Sequence, residues 1–216
     1  GQAVECVMGG DFLVDVNRPW DLVEANQRAN AALFAERRGI VAAENASIHE
    51  SADIPAGATI LLDDGARIGK GVIVEGDLIL GPNAQAISGA ILGARAHLGA
   101  YSVVRECARV HDNAIVGAHT DIGAATCCGA WRFDDTVREQ RIDMHYERPP
   151  YHGGMTFLGD RVRTGINAVI NPGVRVGQHS CIGPGVILYD NVQDGQLVLV
   201  KQEQVIKPWG PERYCW

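Results

Sequence analysis

Aliphatic residues recur at every sixth position over much of this chain. Ile48, Ile54 and Ile60 open the series, and after an eight-residue step it continues through Ile68, Val74, Leu80, Ala86, Leu92, Leu98, Val104, Val110, Val116 and Ile122. A 3.6-residue repeat would scatter these positions around a helix, so the period predicts a short strand and a turn for every six residues. The following position is often Gly (69, 81, 93, 99, 117, 123), and the fourth position after the aliphatic is mostly small or β-branched, as at Val72, Ala84, Ala90, Ala96, Ser102, Ala108, Ala114, Thr120 and Thr126. Such a chain builds a solenoid in which each coil buries its aliphatics only against the coils above and below, so many repeats must stack before any is stable. The frame resumes at Leu158, Thr164, Ile170, Val176, Ile182 and Leu188, which makes nineteen hexads.

Before the repeats, NRPWDLVEANQRANAALFAERRG reads as a helix with Asn17 as N-cap, Pro19 in the first turn and a stop at Gly39. Leu22, Ala25, Ala29 and Leu33 form its expected apolar stripe, and the helix is expected to be a connector packed on something larger. The interruption from Gly129 to Phe157 is charged, aromatic and rich in His and Pro; an excursion of this length is usually functional or an assembly arm, and one loop can serve as both. Residues 201–216 are expected to leave the solenoid, with Trp209, Tyr214 and Trp216 covering its end or a neighbour.

Composition narrows the class. At 216 residues, 46% hydrophobic and 21% charged, the chain supports one sizeable core with an appendage. The formal charge of -7 argues against nucleic acid and anionic membrane as general partners. No run of about 18 apolar residues appears, and GQAVECVMGGDFLVDV lacks the form of a signal peptide, so a soluble cytoplasmic protein is expected. The six cysteines lack CxxC spacing and read as reduced, small, buried hydrophobes; Cys127 and Cys128, neighbours on a strand, would point to opposite sides.

Three stretches carry a resemblance. FLVDVNRPWDLVEAN is similar to the segment that closes the nucleotidylyltransferase domain of bifunctional sugar-1-phosphate nucleotidylyltransferase/acetyltransferases, the N-acetylglucosamine-1-phosphate uridylyltransferase type. DIGAATCCGAWRFDD resembles their IGAGT segment and following loop, and GDRVRTGINAVINPGVRVGQHSCIGPGVILYDNV resembles the last coils of their acetyltransferase domain. The resemblance implies an all-β fold: a left-handed parallel β-helix with three hexads per coil, hence about six coils spaced by about 4.8 Å, plus the connecting helix and the long inserted loop. It divides the chain into residues 1–43, the end of a nucleotidylyltransferase domain with the helix; 44–200, the β-helix with its loop at 129–157; and the tail 201–216. It also implies that the Gly-rich nucleotide-binding loop lies upstream of residue 1, so that Asp15, similar to a magnesium-binding Asp of that domain, is an orphan here and no metal is expected.

In the family, a β-helix histidine in a V-P-H-L-S-Y-V-G-D motif is the general base that deprotonates the sugar amine before it attacks acetyl-CoA. Counting back in hexads from IGAAT puts Glu106 where that histidine belongs, with His111 in the adjacent hexad. A second alignment removes the segment and puts Arg105 on a lysine that binds sugar phosphate. Imidazole, with an ordinary pKa near 6.5, is by default a better base at neutral pH than a carboxylate near 4.3, although an exposed turn is the plainer role for His111, as for His97, His119 and His179. Loop residues His145 and His152 are candidates for a substrate site shared with a neighbouring protomer. Arg148 is the basic residue left where many relatives carry several before the resuming GD, and Arg161, Arg163 and Arg175 are candidates for the phosphates of CoA.

Two functions compete. The first is acetyl transfer from acetyl-CoA to an amino-sugar 1-phosphate, a small-molecule substrate, in a homotrimer whose sites lie between protomers. The second is a non-catalytic β-helix that trimerises or regulates a nucleotidylyltransferase. A zinc-dependent hydration of CO₂ would need three histidines around the metal, and the spacings of His111, His119, His145 and His152 do not fit it.

Overall fold

In a computed structural model of the chain, the structure describes residues 14–35, 37–142, 144–150 and 155–208. Three parallel sheets of seven, eight and six strands form the walls of a β-helix, and a two-stranded antiparallel hairpin lies outside them. We term the walls faces A, B and C in the order the chain first meets them. Registers such as Leu80 with Leu98, Ala86 with Val104 and Leu92 with Val110 are each eighteen residues apart, so one coil is three hexads. The hexad residues Val74 through Ile122 point inward and are buried, Cys128 extends the series by one position, and Ala84, Ala90, Ser102, Ala108, Thr120 and Thr126 fill the space beneath the corners. Ser102 and Thr120 donate their hydroxyls to the carbonyls of Gly99 and Gly159, so these buried polar groups are satisfied.

The frame differs from the hexad reading at two places. Leu62, not Ile60, pairs with Leu80 and Ala42, so the two extra residues lie in the turn between Ile54 and Leu62. Ile60 is buried as well because its strand, Ile60–Leu62, is three residues long and directs its first and third side chains inward. The stack is also about one coil taller than nineteen hexads imply, because Ile40–Ala42 and Leu197–Val198 join faces A and B at the two ends without full hexads.

Corners repeat as regularly as strands. Asn83, Arg95, Tyr101, Cys107, Asn113, His119 and Ala125 all hold a left-handed backbone with φ between 55° and 59°. This conformation turns the chain sharply while the amide still reaches the previous coil, as from Ala125 N to Glu106 O at 2.8 Å. Where face A bends toward face B, glycine is required by contact: a Cβ at Gly117 would lie 2.5 Å from the amide nitrogen of Asp160 and from the carbonyl carbon of Gly159 on the next coil.

The helix spans Pro19–Ala35. Its N-terminus is capped by Asp21 Oδ2, which accepts from the amides of Asn17 and Arg18 at 2.9 and 2.7 Å, rather than by the Asn17 side chain. The buried stripe is Trp20, Val23 and Asn30, with Gln27 and Phe34 half-buried between them, whereas Leu22 and Leu33 of the expected stripe are exposed. Both sets have helical spacing. The deciding contacts are Trp20 and Val23 on Met155 and Phe157, and Gln27 Nε2 donating to Asn113 Oδ1 at 2.9 Å. The helix thus runs back along face A; its 17 residues, at about 1.5 Å each, match about five coils at about 4.8 Å.

Within the insertion, Gln140–Ile142 pairs with His145–Glu147 as the hairpin. It docks on its own chain: Arg18 pairs with Glu147, Gln140 Nε2 donates to Gly173 O at 2.6 Å, and Arg138 donates to Tyr189 O and Asp190. The three walls therefore end up unlike one another. Face A is covered by the helix and hairpin. Face B presents Ser47, Arg67, Gln85, Val103, Asp121 and Arg163. Among the described residues no element covers face C, and its outward column is Asp53, Ile73, Ile91, Arg109, Cys127, Val169 and Ile187.

Candidate active site

Arg109, the one cation in face C's outward column among the described residues, defines the site. Arg109 Nε donates to His111 Nε2 at 3.0 Å, and Arg109 Nη2 donates to Glu75 Oε1 at 2.8 Å. Glu75 and His111 each directly follow the inward residue of their strand, Val74 and Val110, so they lie on the corner from face C to face A, two coils apart. Gly93 occupies that position on the coil between them, and Gly129 on the coil after His111, so side chains are absent from the corner on either side of the imidazole. An imidazole nitrogen that accepts a hydrogen bond carries no proton, so His111 is neutral here with its hydrogen on Nδ1. Burial, and then the Arg109 charge, push its pKa below the ordinary imidazole value, while Glu75 and Asp112 oppose them. The insertion leaves the β-helix one coil after His111 and presents Trp131 and Phe133 to solvent.

Glu106 and Arg105 occupy a different corner, from face B to face C. Arg105 is held by Asp121 through two bonds of 2.6 and 2.7 Å, and this carboxylate raises the arginine's pKa. His145 lies on the hairpin, where its Nε2 is 2.8 Å from Glu147 Oε1. Arg18, and then His145, hold the Glu147 carboxyl below the usual carboxylate range. His152 lies outside the described residues.

Arg161 stands on the corner from face A to face B, Arg163 on face B of the same coil, and Arg175 on face A of the next coil. Arg161 and Arg163 carry no ion pair among the described residues; Asp121, in register beside Arg163, is held by Arg105. Arg175 borders a groove of about 460 Å³ with Phe157, Asn191 and Asp194. Its Nε has no hydrogen-bond partner among the described residues, and burial followed by repulsion from Arg138 lowers its pKa.

Two expectations about exposure fail. His97 is not an exposed edge residue: it points outward from the middle of a three-residue face A strand, Ala96–Leu98, into a groove of about 410 Å³ with Leu33, Arg37, Val41 and Ile79. Burial lowers its pKa. The signal for this was its place on the face the helix covers, which the hexad pattern does not mark. His119 and His179 are exposed, and His119 stacks on Tyr101 with ring centroids 4.9 Å apart. Among the cysteines, Cys128 is buried and its thiol is pushed up to about 12, Cys127 faces outward, and Cys107 and Cys181 are exposed because one sits on a corner and the other points out of face B.

Repeat, registers and walls define a β-helix built of hexapeptide repeats, and residues 155–190 match the family model described as bacterial transferase hexapeptide (six repeats). The chain is similar, at modest identity, to bifunctional sugar-1-phosphate nucleotidylyltransferase/acetyltransferases. It is 26% identical over 204 residues to the protein of that name from Sulfurisphaera tokodaii, covering 88% of this chain and 49% of the relative. It is 25% identical over 209 residues to the bifunctional protein GlmU of Methanococcus vannielii, covering 89% and 48%. The chain thus spans about half the length of these curated relatives. Among solved structures, a histidine-to-asparagine mutant of perosamine N-acetyltransferase from Caulobacter crescentus, in complex with CoA and GDP-perosamine, superposes with a TM-score of 0.42 at 19% identity over 80% of this chain and 60% of that one. No helix among the described residues is long and apolar enough to cross a membrane.

Proposed function

We propose that this chain is the acetyltransferase domain of a sugar-nucleotide enzyme, moving the acetyl group of acetyl-CoA onto the amine of an amino-sugar 1-phosphate in the cytoplasm. The observation that carries the reading is the imidazole of His111, neutral and half-buried on a corner next to a bare aliphatic wall, in a chain similar to such enzymes along most of its length. A neutral imidazole is competent to take the proton of an ammonium. Glu106 is the alternative base. Arg105, His145 and His152 are the proposed ligands of the sugar phosphate, and Arg161, Arg163 and Arg175, on two successive coils around one corner, those of the CoA phosphates. Face C, with Ile73 and Ile187 about half exposed, is proposed to pack against its copies in a homotrimer, which puts His111 beside a neighbouring protomer.

A non-catalytic trimerising β-helix is the second reading. It is favoured by Arg109 occupying the acceptor nitrogen of His111 and by Asp121 neutralising Arg105. Thiol release from acetyl-CoA, offered glucosamine 1-phosphate or galactosamine 1-phosphate, separates the two. Release by the native chain, with kcat lowered about 10²-fold or more in either His111→Ala or Glu106→Ala, is the expected result and names the base; a folded oligomer that releases no thiol and binds no acetyl-CoA sinks the enzyme reading.

A further inference from the structure

The hydrogen bond that argues against His111 also points to how the residue is controlled. Arg109 is the only cation in the outward column of face C among the described residues, flanked by Ile91 and Cys127 in register; the column's other charged residue, Asp53, lies three coils away beside Ile73. An anion arriving on that wall meets one guanidinium and no competing cation. The guanidinium bridges two acceptors across Gly93, which has no side chain to fill the space between them. Its remaining N–H groups form a planar fork suited to phosphate or carboxylate oxygens. An ionised acceptor holds an N–H more strongly than a neutral imidazole does, so a ligand anion outcompetes His111 for Arg109.

We propose that Arg109 is a latch on His111 that the anionic group of the amine substrate opens. The inference rests on the acetyl-transfer reading above. With the anion on Arg109, the His111 Nε2 lone pair is freed and takes a proton from the substrate ammonium. The amine nitrogen then bonds to the thioester carbon, the carbon–sulfur bond breaks, the departing thiolate takes the second proton from that nitrogen, and His111 returns the first to solvent. An empty site keeps its base occupied, so His111 becomes basic only once the substrate's anion is seated. The charged groups facing His111 are Arg109 on face C, Glu75 on the same corner two coils earlier and Asp112 on its own turn; Asp112 is held by the Ala94 amide at 2.9 Å and lies 3.9 Å from Arg95.

The test is NMR titration of the His111 ring nitrogens in the native chain and in Arg109→Gln, with and without inorganic phosphate, alongside the thiol-release assay. The latch requires phosphate to raise the His111 midpoint in the native chain. Arg109→Gln must raise it without phosphate, abolish the response to phosphate, and weaken phosphate binding roughly tenfold. Arg109→Lys, which keeps the charge but loses the fork, guards against a folding defect and should restore phosphate binding only in part. A His111 midpoint indifferent to phosphate overturns the latch even if thiol release depends on His111. A phosphate-dependent midpoint without thiol release upholds the latch as an anion switch and overturns the acetyl-transfer reading instead.

Discussion

At the scale of single residues, the left-handed corners are the most informative positions. A non-glycine residue pays roughly 1–2 kcal/mol for this backbone region, and glycine costs roughly 0.5–1 kcal/mol more than alanine in chain entropy. Ala125 has φ 55° and is exposed, so its methyl group gains nothing from packing. Ala125→Gly is therefore expected to raise stability by up to about 1 kcal/mol, and a lowered midpoint in urea would contradict this account of the corner. The corner residues also show what a one-dimensional pattern leaves out. Tyr101 and His119 have no obvious relation along the chain, yet the eighteen-residue coil brings their rings into a parallel stack. Arg109, His111 and Glu75 meet for the same reason: the coil sets a residue beside one thirty-four positions away.

At the scale of elements, the hexads made the strands and their inward residues legible, because one aliphatic per six residues is a direct record of which side chain faces the axis. The same record misplaced the two-residue step, since Ile60 and Leu62 are both apolar and only strand pairing distinguishes them. The helix was legible in extent but not in orientation. Its alanines fit either stripe, and the choice fell to Trp20 and Val23 meeting Met155 and Phe157, which are contributed from the end of the insertion. Truncating Trp20 to alanine should then cost about 3–5 kcal/mol if the helix unfolds with the β-helix as one unit. If instead far-UV helicity is lost while the main transition stays in place, the helix is an independent layer. The Arg18–Glu147 pair beside it is partly exposed and screened by solvent, so Glu147→Gln should leave the unfolding midpoint nearly unchanged in the same experiment.

At the scale of the whole molecule, three walls built from one repeat have diverged by what covers them. Face A has its helix, face B its polar column, and face C its aliphatics in the open. If face C is the assembly surface, Ile187→Glu, at a residue 52% exposed, should leave the circular dichroism unchanged and convert the oligomer to a monomer in light scattering. An unaltered assembly would move the interface elsewhere, with Trp131 and Phe133 on the insertion the next surface to test.

What the chain determined by itself is the β-helix, because burial at every sixth residue and tolerance of a left-handed turn between those residues are local requirements that repeat along the sequence. It also marked His111, Glu106 and the arginines as the residues with chemistry to offer. What only the tertiary structure decided is which of them share a place: Arg109 on His111, Asp121 on Arg105, Glu147 between His145 and Arg18, and His97 under the helix. The physical reason is that a hydrogen bond or ion pair forms at about 3 Å, and the eighteen-residue coil, the insertion and the returning helix bring groups to that distance in ways no spacing along the chain records.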